Sequence, residues 1–305
     1  MTLDTTVGGL LDRVRRDALL GLHGPVYFLA ASAGEDATSL TVEGDVTHLA
    51  PGMIIAVDAE LYLVRSVSGS TISVVPGALG STSAEHDTDA LVEVAPRFPK
   101  AMLLDSVAHE IASWGSQLWR AVTVDVEIEN DSQFYELEPD DAGEILMLLD
   151  VRARPPGTSD QVRVANWSAD RWPRLTAQLL RDLPDDVIDS GYGLQLASYH
   201  PSNTSLRVVY AASFDTTTLD PTTDLVDDVG LATSQIEVAE AGCKWRALRD
   251  GALSRTDYRS SGTSRQAEEV QVLDLIRAAE QAEAIRNRLL AREANELLSR
   301  WPWRG

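Results

Sequence analysis

The sequence predicts an α+β protein: a helical core from the N-terminal, central and C-terminal helices, with a small β-barrel-like insertion and a larger antiparallel β-sandwich insertion. Three observations carry this. Apolar residues recur at helical spacing near residues 3–22, 100–120 and 264–301. Between the first two stretches lie short β-branched runs broken by Gly, Pro and Ser. Between the last two lies a longer and more acidic set of strand-like runs. The plan is therefore an N-terminal helix and connector (1–37), a small β domain (38–96), a central core helix (97–121), an acidic β-sandwich insertion (122–233) and C-terminal helices with an Arg/Trp tail (234–305). With 305 residues, 44% of them apolar, the chain can bury a sizeable core.

Each element has a local reason. Val7, Leu10, Leu11, Val14 and Ala18 form one helical face, with Asp4 placed to cap it and Gly21, Gly24 and Pro25 to stop it. From Ser39 the period changes: "SLTVEGDV", "GMIIAVDAELYLVRSVSG", "STISVVPG" and "ALVEVAP" are short strands of a barrel or curled sheet. "SVSGST" is a hairpin turn in which Gly69 is free to take a positive φ. Pro96 and Pro99 end the sheet, since neither donates a ladder hydrogen bond. Leu103, Val107, Ile111, Trp114 and Leu118 then mark an amphipathic central helix.

From Ala121 strands return, and "TVDVEIE" alternates as a half-buried strand does. Six to eight strands with polar turns predict an antiparallel sandwich, with "DRWPRLTAQLLRDLP" irregular or partly helical within it. A helix is expected from Ser234 to Leu248. The last helix, capped by Ser264, carries the stripe Val272, Leu275, Ile276, Ala279, Ala282, Ile285, Leu289 and Leu297. Its length of about 50 Å at ~1.5 Å per residue is long for a compact domain, so it is expected to lie along other helices, some from neighbouring subunits.

Charge and cysteine content narrow the function. The net charge is -21, which argues against nucleic acid as the main ligand because phosphate neutralisation needs a basic face. From Val122 to Gln235 there are 21 Asp and Glu against 7 Arg, whereas from Trp245 to Gly305 there are 11 Arg against 9 acids. That asymmetry suits one face for solvent and another for a partner. Cys243 is the single cysteine, which excludes an internal disulfide framework and a Cys-rich zinc site. Neither a signal peptide nor a membrane span is predicted, and folding in the cytoplasm is expected.

No catalytic or cofactor motif emerges. His23, His48, His86, His109 and His200 are scattered without metal-ligand spacing, and His86 is expected to hydrogen-bond within its own loop. No Gly-x-Ser-x-Gly elbow and no phosphate loop occurs. The run "ENDSQFYELEPDDAGE" admits paired catalytic carboxylates or a calcium loop, but lacks EF-hand spacing and reads better as a solvated sheet edge. No enzyme activity, cofactor or metal is expected. Arg288, Arg292, Arg300, Trp301, Trp303 and Arg304 form an aromatic and basic end to the last helix. Arg and Trp are enriched at interface hot spots, so docking to a partner stands beside the plainer reading that the rings fold back onto the core.

A resemblance adds to this. Ser39–Val42, Pro51–Gly69, Gly80–His86 and Val92 resemble a β module of actinobacterial phage virion proteins, with a "pG..i.id.E...V.sv.G" pair and a turn ending in His. Pro76-Gly77 stands where that module has Arg-Gly, and the Gly usual soon after the His is missing, so the turn is expected to differ in shape. The flanks "PRFPKAMLLDSVAHEIASWGSQLW" and "DLVDDVGLATSQIEVAEAGCKWRAL" resemble head-to-tail adaptor (connector) proteins of long-tailed phages. The resemblance spans Leu3–Arg120 and Asp224–Gly305 and omits the acidic strands between. It implies a structural virion protein: a homo-oligomeric ring of twelve copies in the neck, assembled in the bacterial cytoplasm. Its implied partners are the portal protein, through the Arg/Trp tail, and a neck or tail-completion protein. Packaged DNA would pass without specific binding, and no membrane is involved. The alternative is a β-sandwich binding module for carbohydrate or protein, with Trp167 and Trp172 as an aromatic platform.

Overall fold

The computed structural model describes residues 4–19, 26–46, 48–96, 98–127, 133–139, 144–153, 173–184, 188–198, 205–217, 219–258 and 265–301. The protein is α+β, with four helices and antiparallel sheets among the described residues, in two compact units. One unit comprises Met1–Ile111 with Thr216–Ala291, and the other Ala112–Asp215 with Arg292–Gly305.

In the first unit, α1 (Val7–Leu19) buries Val7, Leu10, Leu11 and Val14 of the expected stripe, while the Ala18 side chain lies outside the described residues. Its cap is Thr6 rather than Asp4. The Thr6 hydroxyl accepts from the Gly9 N–H at 3.0 Å, three residues on, while Asp4 holds Thr6 in place through its N–H and hydroxyl.

Six strands follow: β1 (Val26–Phe28), β2 (Ser39–Thr41), β3 (Ile54–Val57), β4 (Glu60–Ser68), β5 (Thr71–Val75) and β6 (Leu91–Val94). They form one antiparallel sheet in the order β1-β6-β3-β4-β5-β2. Its two edges meet through the Leu29–Val42 bridge, with Ala30 N–H to Thr41 O at 2.8 Å, so the sheet curls into a small barrel. The inside is filled by Leu40, Ile55, Val57, Tyr62, Val64, Ile72, Val74, Val92 and Val94, which alternate along their strands as a two-residue period requires. The barrel thus begins at Val26, earlier than the expected residue 38. Only three residues of β1 pair, too few for alternation to betray them in sequence.

The other helices of this unit are α2 (Lys100–Ala112), α3 (Thr233–Tyr258) and the first part of α4 (Arg265–Arg300). The expected central helix through Leu118 stops sooner, and Gly115 adopts a left-handed φ of 54° just beyond it. α3 starts where expected because Gln235 accepts from the Ala232 N–H at 2.9 Å, closing its first turn. It runs past Leu248 to Tyr258, so Gly251 does not interrupt it. At ~1.5 Å per residue the 36 residues of α4 extend about 54 Å. Ser264, its expected cap, lies outside the described residues, as does the Val272 side chain.

The second unit holds β7 (Arg120–Glu127), β8 (Phe134–Glu136), β9 (Ile145–Ala153), β10 (Ala177–Leu180), β11 (Gly193–Leu196) and β12 (Ser205–Ala212). They form two three-stranded sheets, β10-β11-β8 and β7-β12-β9. Tyr135, Leu137, Leu194 and Leu196 from the first share a core with Val151, Leu206, Val208 and Tyr210 from the second, which is the expected sandwich. The outer face of β7 is charged, and Asp125 receives a forked pair of bonds from its cross-strand partner Arg207 at 2.8 and 2.9 Å. Within "DRWPRLTAQLLRDLP", Ala177–Leu180 is a strand, not a helix. Its ladder with β11 outweighs local propensity.

Candidate assembly surface

The helices of the first unit are fastened by a buried carboxylate. Leu103, Val107 and Ile111 are buried on α2, and Glu110 lies on the same face, fully buried. Its Oε2 accepts from Arg246 Nε on α3 at 2.9 Å, and its Oε1 from Arg286 Nε on α4 at 2.6 Å. Gly242 makes room for this: a methyl group there would stand 2.1 Å from the Glu110 carboxyl carbon. Arg246, Arg249 and Arg286 also surround the Trp245 ring at 5.0–5.6 Å, a cation–π cluster. Beside it Cys243 is buried, and burial, reinforced by the Glu110 charge, pushes its thiol up to about 12. Such a thiol is not a nucleophile. Arg13 on α1 pairs with Glu240 on α3 at 2.9 Å, and Lys100 on α2 with Asp12 on α1 at 3.1 Å, so all four helices are cross-braced.

A second cluster sits in the barrel. Glu60, also buried, accepts four hydrogen bonds: from Gly77 N–H (3.0 Å) on Oε1, and from Tyr62 hydroxyl (2.8 Å), Ala84 N–H (3.0 Å) and His86 Nε2 (3.1 Å) on Oε2. His86 Nδ1 faces Asp58 Oδ2 at 2.9 Å. An imidazole between two carboxylates must donate from both nitrogens, which only the protonated ring does. Burial lowers the pKa of His86, but the hydrogen bonds and charges of Asp58 and Glu60 outweigh it and the net direction is up. The bond from His86 holds Asp58 below its usual range. Burial, with the Glu60 bond, raises Tyr62. His86 therefore bonds to the β3–β4 turn and not within its own loop, as its sequence position had suggested. The cluster clamps the turn from Pro76 to His86 onto the barrel.

One apolar recess lies between the last two helices. A groove of about 760 Å³ runs between α3 and α4, walled by Ile236, Leu248, Ala282, Ile285 and Leu289, with Lys244, Glu237 and the Arg13–Glu240 pair at its sides. The expected α4 stripe divides here. Ala279 and Ala282 are buried and Leu289 half-buried, whereas Ile276 and Ile285 are 37% and 45% exposed; Leu290, outside that stripe, is buried. On the same helix Arg288, Arg292 and Arg300 are exposed, and Trp301 is half-buried. Arg292 pairs with Glu293 at 3.0 Å and Arg300 with Glu296 one turn back. Trp303 and Arg304 lie outside the described residues, as do Trp167 and Trp172.

Glu110, Gly242 and Glu60 went unrecognised in the sequence, although two of them left a trace: Glu110 is an acid at an apolar-stripe position of its helix, and Gly242 is a glycine in a helix interior. Among the described residues no group of three or more His, Cys, Asp or Glu is placed to hold a metal ion, and no helix is long and apolar enough to cross a membrane. No protein-family model and no curated protein matches the chain.

Proposed function

We propose that the chain is a structural subunit of a virion neck, a head-to-tail adaptor that closes with identical copies into a ring between portal and tail. The observation that carries the reading is a coincidence of boundaries. Apart from Ala112–Arg120 and the tail Arg292–Gly305, which fall in the other unit, the residues that resemble adaptor proteins, Leu3–Arg120 and Asp224–Gly305, map onto the compact unit Met1–Ile111 with Thr216–Ala291. The acidic strands outside the resemblance fall in the other unit. An ion-braced helical unit with isoleucines left in solvent on α4 suits lateral packing of subunits. A net charge of -21 suits a channel that DNA traverses without sticking.

Electron microscopy of the purified chain, alone and mixed with a portal protein, tests this. Closed rings seated on the portal are expected, with twelvefold symmetry the specific expectation; a monomer indifferent to the portal overturns the reading. Truncation after Ser299 removes Arg300, Trp301, Trp303 and Arg304. It is expected to weaken portal docking about tenfold or more while leaving the melting temperature nearly unchanged, as read by co-sedimentation. Unaltered docking would exclude the tail as the portal contact.

A further inference from the structure

We propose that His86 is a pH-operated latch on the β3–β4 turn. Protonated, the ring ties Asp58 down beside Glu60. Neutral, it keeps its bond to Glu60 and lets Asp58 turn into water, which frees the β3–β4 turn while the barrel and the Pro76–His86 turn stay closed. The device lies within the barrel and does not depend on the ring reading above.

Two carboxylates share one imidazole, and they are unequally buried. The His86 side chain is 1% exposed, with Nδ1 2.9 Å from Asp58 Oδ2 and Nε2 3.1 Å from Glu60 Oε2. The Glu60 side chain is 0% exposed and that of Asp58 58%. A neutral imidazole has one N–H and one lone pair, so one of the two carboxylates must then face an acceptor. At Glu60 that would set an unsolvated anion against a lone pair, a costly arrangement in a buried site. At Asp58 a rotation into water removes the clash. The proton therefore stays on Nε2. Tyr62 meets the ring edge-on at 5.9 Å and gives its hydroxyl to Glu60. Burial first, then the Glu60 bond and the charges of Glu60, Asp36 and Asp58, raise the Tyr62 pKa, so Tyr62 keeps its proton throughout. Lys100, at the start of α2, acts on Asp58 but is itself paired with Asp12 at 3.1 Å.

The two turns also differ in what else holds them. Val57 pairs with Glu60 across the β3–β4 turn, leaving Asp58 and Ala59 as a two-residue loop with Asp58 at a left-handed φ of 51°. A non-glycine residue held there stores strain that its surroundings must offset, and the bond from His86 ties its carboxylate down. The Pro76–His86 turn is strained as well. Gly77, Leu79 and Gly80 take φ values of 62°, 55° and 83°, and Leu79 is 78% exposed. Its fastenings, however, do not need a charged ring. Glu60 accepts from the Gly77 N–H and the Ala84 N–H, each at 3.0 Å. The His86 backbone exchanges bonds with Ala33 at 2.9 and 2.8 Å. β3 is paired on both sides, with β4 and with β6, so release of Asp58 ends at the turn.

Hydrogen exchange of the full-length chain, read by mass spectrometry from about pH 6 to about pH 9 and corrected for the intrinsic rate, tests the latch. The latched state has the raised His86 pKa, so the latch is complete below the ordinary 6.5 and is lost as pH rises through the raised value. Protection of the amides from Val57 to Glu60 is expected to fall about tenfold across that titration, the worth of a shift of one pKa unit. The amides of Gly77 and Ala84 are expected to keep theirs. Asp58→Asn is the control that fixes the latch shut. Its amide oxygen accepts from the protonated ring, and its NH2, turned over, donates to the Nδ1 lone pair of the neutral one. Protection of the turn in this variant is expected to be flat over the same range. A wild-type turn with flat protection overturns the proposal. So does opening at Gly77 and Ala84 together with the turn or before it, and so does an Asp58→Asn chain that keeps the wild-type pH dependence.

Discussion

Replacing Glu110 by Gln is expected to lower the stability of the protein by about 3–5 kcal/mol, the usual cost of removing one member of a buried ionic cluster. The substitution keeps the volume, so no cavity confuses the result. What it changes is charge. Arg246 and Arg286 each direct Nε at a separate oxygen of one carboxylate, and those side chains are only 17% and 14% exposed. An amide neutralises neither, and it turns a donor toward one of them. Gly242→Ala should reach the same end by another route, since its methyl group would stand 2.1 Å from the Glu110 carboxyl carbon and drive the side chain from its seat. The two sites are therefore coupled. In a Glu110→Ala background the obstacle is gone, and Gly242→Ala should be neutral or stabilising by up to about 1 kcal/mol through helix propensity. Urea unfolding of the four chains checks this. Additive losses would mean that the glycine serves something other than the passage of Glu110.

The barrel clamp carries the second large effect. Glu60→Gln should cost about 3 kcal/mol, because all four groups around this carboxylate are donors. Whichever way the amide is turned, its NH2 faces a donor. The clamp also makes stability depend on pH. His86 has its folded pKa raised above the ordinary 6.5, so its contribution is complete below that value and fades as pH rises through the raised one. Asp58 has its folded pKa lowered from 3.8, so its contribution is complete above that value and fades as pH falls through the lowered one. The clamp is strongest between about pH 4 and 6.5. His86→Gln should flatten the decline of stability above pH 6.5, measured as melting temperature against pH. A variant that keeps the parent's slope would place the titrating group elsewhere.

Both clusters show why the sequence was legible in part. α1, α3 and α4 announce themselves because a helix repeats its apolar face every three or four residues, a local property. The barrel and the sandwich are legible for the same kind of reason: Leu40, Ile72, Val74, Val92 and Val94 alternate with residues that stay in solvent or are only part-buried. Errors arose where distant chain decided a local matter. The Ala177–Leu180 segment reads as half-helical alone and is a strand because β11 pairs with it. β1 is three residues long and exists through β6.

Periodicity and composition, being local, were enough to establish the class of this protein, an α+β chain with a barrel and a sandwich set among helices. They also established the single cysteine and the acidic balance. Partners distant in sequence were settled only in three dimensions. Glu60 meets His86, 26 residues away, and Glu110 meets Arg286, 176 residues away. A buried carboxylate requires donors, but nothing in its own neighbourhood says which ones will arrive. That choice belongs to the packing of helix on helix and turn on barrel. So does the left-handed turn that leaves Leu79 in solvent.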